Sequence, residues 1–74
     1  MNREKWQELK KKGSDHYKTL EVEPIDFYVS LGIFKQFAEA NIIKYAARYV
    51  TKAESKDMDK IIHYAELLKA YMEV

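Results

Sequence analysis

Apolar and polar residues recur along the chain with a helical period, and the interruptions of that period divide it into segments. Residues 1–12 are rich in charge, but Trp6 and Leu9 stand three apart, on one face of a short helix. Lys10, Lys11 and Lys12 then lead into Gly13, an arrangement that suits a helix end, where cations complement free carbonyls and glycine ends the turn. Residues 13–23 have no regular pattern and read as a loop. Pro24 fits the first turn of a second helix over 24–31, because the N–H that proline lacks would have no partner there. Ile25, Phe27, Tyr28, Val29 and Leu31 fill this segment, a content that a short strand would also accept, and Gly32 stops it. Residues 33–52 contain no breaker and predict the longest helix. After a pause over 53–55, a last helix spans 56–72, with Ser55 as N-cap and Asp57 and Asp59 in the first turn. Ile61, Ala65, Leu68 and Met72 share one side of it between Tyr64 and Tyr71, which predicts the packed side. His63 falls on the polar side and reads as exposed.

The expected architecture is all-α, a single domain. A long antiparallel hairpin of 33–52 and 56–72 is covered on its open face by the two shorter N-terminal helices. Two glycines and one proline leave little material for β-hairpins, and 47% hydrophobic residues exclude a disordered chain. No apolar run reaches the roughly 20 residues of a membrane-spanning helix, and no apolar leader core follows the start. The expectation is therefore a soluble, cytoplasmic protein without a membrane partner. Thirteen Lys and Arg against twelve Asp and Glu give a net charge of +1, whereas a protein that coats nucleic acid is strongly basic. Nucleic acid is not the expected partner. The absence of cysteine removes disulfides and a thiol nucleophile, and two histidines far apart argue against a metal site; no cofactor is expected. A chain this short buries only about 60% of its unfolded surface, so a homo-oligomer is the expected state.

The central helix places its polar residues unusually. With Ile33 at the zero of the wheel, Phe34, Ala38, Ile42, Tyr45, Ala46 and Tyr49 span about 100° to 220°, and Ile43, Ala47 and Val50 about 260° to 320°. Lys35, Gln36 and Glu39 wet the first turn. Beyond it, Asn41, Lys44 and Arg48 occupy about 20° to 80°, beneath Phe37, with Thr51 and Lys52 at the end. A helix that is apolar almost all round thus carries one ribbon of amide, ammonium and guanidinium at i, i+3 and i+7. Guanidinium forks and ammonium charges suit phosphate, the amide both donates and accepts, and Phe37 with nearby tyrosines suits a stacked base. The ligand class this implies is a nucleotide or another phosphorylated small molecule. The same spacing also describes the wet side of an ordinary surface helix; the two readings differ in whether the heads meet a cavity. His16 and Tyr17 in the loop are further candidates, the histidine as a ligand contact or a proton-transfer group, against the plainer reading of a surface loop residue. No phosphate loop, HExxH or GxSxG motif is present, and no paired-carboxylate array lies on the central helix. No catalytic residue is assigned.

The order of these residues resembles a bacteriophage family of small proteins of unknown function. Its pattern runs through His16-Tyr17-Lys18, Pro24-Ile25, Asn41-Ile42-Ile43-Lys44-Tyr45, Arg48-Tyr49, Lys52, and then Asp57, Lys60 and Tyr64, covering about residues 15–68. Ala40 stands where that family usually has glycine before the asparagine, which keeps the position small. The same domain also occurs within a phage nucleotide kinase that lacks a phosphate loop. The resemblance therefore implies nucleotide chemistry or nucleotide binding, with His16, Tyr17, Asn41, Lys44, Arg48, Lys52 and Lys60 as the residues carried over. The function expected first is a nucleotide-binding protein of phage type, acting in the host cytoplasm if phage-encoded. It would hold a nucleotide, or a cyclic or ADP-ribose-type signal, without turnover, and sequestration of a host immune signal is one use for it. A nucleoside-monophosphate kinase, or a subunit of one, is the alternative that uses the same cations. A protein–protein interaction module that docks through its aromatic-rich surface is the third; a patch of Ile62 or Trp6 left outside the core would instead serve a subunit contact.

Overall fold

The computed structural model describes residues 1–12 and 23–73, and among these lie four helices: α1 (Arg3–Lys10), α2 (Pro24–Ser30), α3 (Phe34–Lys52) and α4 (Ser55–Met72). No strand occurs among the described residues, so the apolar stretch after Pro24 resolves as a helix. The reason lies at its start. Pro24 occupies the first turn, and the backbone N–H of Glu23 donates to Asp26 Oδ2 at 3.2 Å. Gly32, at φ 75°, ends the segment in a left-handed conformation that a side chain would resist. In α1, Asn2 is the N-cap, its side-chain oxygen accepting from the N–H of Lys5 at 3.1 Å.

α3 and α4 are joined by Ala53 and Glu54 alone. Ala53 closes α3 at φ 52°, donating its N–H to the Tyr49 carbonyl at 2.7 Å. Glu54, not Ser55, is the residue that precedes α4, and the helix starts one residue earlier than its composition suggests. Contacts between the two helices run in opposite senses along them: Phe34 meets Tyr71, Phe37 meets Tyr64, and Arg48 meets Asp57. The hairpin is therefore antiparallel.

α1 lies on α4, where the N–H of Asn2 donates to the Ala70 carbonyl at 2.8 Å and its amide to Glu73 at 2.9 Å. That docking buries Trp6 and Leu9 with Phe34, Ala38, Leu67 and Ala70, which together form the core. Trp6 is thus a core residue and no part of an exposed patch, whereas Ile62 is exposed. The Trp6 ring meets Phe34 edge-on, with centroids 4.8 Å apart. α2 packs on α3 through Tyr28 and Phe37, centroids 4.5 Å apart, and is tied to α1 by Lys10, whose ammonium lies 2.8 Å from Asp26 and 3.2 Å from Glu23. Burial alone would lower the Lys10 pKa; the two carboxylates outweigh it and hold it above the usual lysine value.

The packed side of α4 differs from the one read off its wheel. Leu67 and Ala70 are buried and Tyr64 and Tyr71 partly so, while Ala65 and Met72 are exposed. The face is rotated by about 100° from the Ile61–Ala65–Leu68–Met72 line. α4 must touch α3 and α1 at once. The tyrosines meet the phenylalanines of α3, and the small Ala70 lets the backbone of α1 come within hydrogen-bonding distance.

Candidate functional site

A cavity of about 560 Å³ opens between α3 and α4 near the N-terminal half of α2. Its size lies in the range of small-molecule sites. One wall is aromatic. Tyr28, Phe37, Tyr64 and Tyr45 form a continuous row of rings across three helices, Phe37 edge-on to Tyr64 at 5.7 Å and Tyr45 stacked on Tyr64 at 6.1 Å. The row is anchored at its far end, because Phe37 also contacts the fully buried Phe34. Ring positions at the cavity are therefore fixed by the core.

The polar groups come from two helical lines. On α3, Asn41 and Lys44 face the cavity. The Asn41 amide donates to the Phe37 carbonyl one turn back at 2.9 Å, which fixes the side chain and leaves its own oxygen as an acceptor. The Lys44 ammonium sits 4.7 Å from the Tyr45 ring centre, a cation–π contact. On α4, Lys60 and His63 line the opposite side, joined by Lys12 from the end of α1. Lys12, Lys44 and Lys60 make no ion pair among the described residues. Asp59 and Glu66 add carboxylate acceptors to the same lining.

The residues singled out from sequence separate into three groups. Phe37, Asn41, Lys44 and Lys60 line the cavity. Arg48 and Lys52 are not among its lining residues. Arg48 instead reaches across the hairpin turn, its Nε 3.3 Å from Asp57 Oδ1 and its terminal nitrogen 3.6 Å from Glu54. Asp57 is 1% exposed and its second oxygen has no hydrogen-bond partner, so Arg48 is the group that offsets a buried charge. The i, i+3, i+7 ribbon thus divides between a cavity and a structural clamp. His16 and Tyr17 lie outside the described residues.

Sequence reasoning missed Lys12 and the role of His63. The histidine is half-buried in the cavity wall, where the wheel had placed it in water. A signal existed: Lys60, His63 and Leu67 repeat on α4 the i, i+3, i+7 spacing of Asn41, Lys44 and Arg48 on α3. Burial lowers the His63 pKa below the ordinary 6.5, aided by Lys60 and Lys12 and opposed by Glu66. The unfolded chain then binds the proton more readily than the folded one. His63 should therefore stabilise the fold above about pH 6.5, and this contribution is lost as pH falls from there through the depressed folded value. An anion in the cavity favours the imidazolium, so its affinity should rise over the same fall in pH. Denaturant titrations of the protein and of His63→Gln between about pH 8 and pH 5 check the first effect: the wild type should lose stability relative to the variant as pH falls below about 6.5, and a difference that stays constant over that range would contradict it.

Fold and site together define a small all-α domain with a ligand-sized, cation-edged aromatic cleft. Over residues 10–66, most of its length, the sequence matches a family described as protein of unknown function, DUF3310, and the chain belongs to that family. No curated protein and no solved structure matches it. Among the described residues no helix is long and apolar enough to cross a membrane, and no group of histidine and carboxylate side chains could hold a metal ion.

Proposed function

We propose that this chain binds a nucleotide or nucleotide-derived signalling molecule in the α3–α4 cleft and holds it without turnover. The observation that carries the reading is the pairing, at one cavity, of an aromatic wall with lysines that make no ion pair among the described residues: Phe37, Tyr64 and Tyr45 offer ring faces, and Lys12, Lys44 and Lys60 surround them. A base stacks on rings irrespective of its sequence of donors and acceptors, and lysines neutralise phosphate as point charges. Asp59 and Glu66 supply acceptors for ribose hydroxyls or an exocyclic amino group, and Asn41 supplies an amide oxygen. The resemblance to a phage family whose domain accompanies a nucleotide kinase supports a nucleotide over other phosphate esters. Sequestering such a signal is one use that a site of cations and rings would serve.

Isothermal titration with deoxynucleoside monophosphates and triphosphates, cyclic dinucleotides and ADP-ribose tests the reading, with inorganic pyrophosphate as control. Saturable heat is expected with at least one nucleotide and weaker heat with pyrophosphate. Lys44→Ala and Lys60→Ala should each weaken that affinity about 10-fold, the scale of one charge-assisted contact. No heat with any of these compounds, or full affinity in the double variant, contradicts it.

A further inference from the structure

A second surface has nothing to cover it within the described chain. On the side of α3 turned away from the core, Ala40, Ile43, Ala47 and Val50 are exposed, Ile43 at 68% and Val50 at 82%. With Ile33 and Gln36 they follow the alternating three-and-four spacing 33, 36, 40, 43, 47, 50. That spacing keeps a seam on one side of a helix. Phe34 and Ala38, the buried residues of α3, lie on the opposite side. A solvent-facing helical stripe is ordinarily polar, yet this seam contains no charged side chain along the length of α3.

We propose that the seam is the contact between two copies of this chain, which pair through α3 with the helices parallel about a two-fold axis. The seam is complementary to itself. In parallel register each seam residue meets its own copy, Ile43 on Ile43 and Val50 on Val50, with the small Ala40 and Ala47 layers between them, as an isologous interface requires. Charge selects the direction. Glu39 and Lys44 flank the seam on opposite sides, and their i, i+5 relation is that of the salt-bridge positions of a parallel pair. Parallel pairing sets Glu39, which meets Lys35 of its own helix at 3.0 Å, beside the partner's Lys44, whose ammonium rests over its own Tyr45, twice by symmetry. Antiparallel pairing centred on Ile43 would instead oppose Lys44 to the partner's Lys44. Size supplies the third argument. Six buried apolar residues form the core among the described residues, the chain has no cysteine, and a domain this short ordinarily needs further burial. None of the tests of the pairing uses a ligand, although the Lys44 that sets its direction also lines the cleft.

Sedimentation equilibrium should give the wild-type chain twice its monomer mass. Ile43→Glu, a change at an exposed position, should retain the helical circular dichroism and weaken the dimer by about 100-fold. Because the chain lacks cysteine, Gln36→Cys reports direction: under oxidation it forms a disulfide-linked dimer only if the helices are parallel, since a disulfide needs α-carbons within about 7 Å. In the antiparallel arrangement Gln36 would lie beside the partner's Val50, and only a mixture of Gln36→Cys and Val50→Cys would cross-link. A single-chain mass for the wild type, a dimer that survives Ile43→Glu, or cross-linking only in the mixture would overturn the proposal. If Ile43→Glu unfolds, the wild-type mass and the Gln36→Cys cross-link still decide it.

Discussion

Replacing Phe34 by alanine is expected to unfold the domain. Phe34 is fully buried, and its ring contacts Trp6 of α1, Phe37 of its own helix and Tyr71 of α4. It is the side chain through which α1, α3 and α4 meet. Phenylalanine-to-alanine changes in cores cost about 3–5 kcal/mol, from lost transfer energy and the cavity left behind. A single core in a chain of this length rarely supplies more than about 3–5 kcal/mol. The two quantities are of equal size, so Phe34→Ala should lack a cooperative melt and lose most of its helical circular dichroism at 25 °C. Phe34→Leu keeps most of the volume and should melt cooperatively at a lower temperature. A folded Phe34→Ala would mean that stability resides elsewhere, the α3 seam being the first place to look.

The second large effect concerns Arg48. In the structure this guanidinium serves Asp57, a carboxylate at the start of α4 with almost no access to water. Removing one member of such a pair leaves the other buried and uncompensated, at a cost of about 1–3 kcal/mol. Arg48 is itself 43% exposed, which holds the expectation to that range and below that of a wholly buried pair. Arg48→Ala should therefore lower the denaturation midpoint and leave nucleotide affinity unchanged. Asp57→Ala in the Arg48→Ala background should recover part of the loss, because the orphaned charge goes with it. Urea titration of the two single variants and the double variant measures the coupling. Unchanged stability with abolished nucleotide affinity would place Arg48 at the ligand instead.

The hairpin was legible because its signals are local: an unbroken helical period over 33–52, a pause, and acidic residues opening α4. The short helix after Pro24 was legible through proline and Gly32, although its apolar content alone left strand and helix open. What a wheel cannot supply is which partner a face meets. α4 has apolar residues on more than one side, and the identity of its inner side depends on α1 and α3 together; this is why Leu67 and Ala70 are buried while Met72 is not. The same ambiguity split the polar ribbon. Asn41, Lys44 and Arg48 are neighbours on α3, but seven residues advance about 10 Å along a helix, enough to carry Arg48 past the cavity to the turn. There Asp57 awaits it, a contact between helices that no spacing within α3 encodes. His63 was misplaced for the converse reason: its own helix shows it as polar, and only the apposed α3 encloses it.

The cleft between α3 and α4 is proposed to hold a phosphate-bearing, ring-containing molecule. Backbone amide chemical-shift mapping during titration with the nucleotide that gives saturable heat addresses it most directly. The amides that shift most should cluster at Asn41, Lys44, Tyr45, Lys60, His63 and Tyr64, with those of Ile43, Val50 and Arg48 moving little. Shifts centred on Arg48 and Lys52, or spread along the outer seam of α3 with the cleft unmoved, would contradict it.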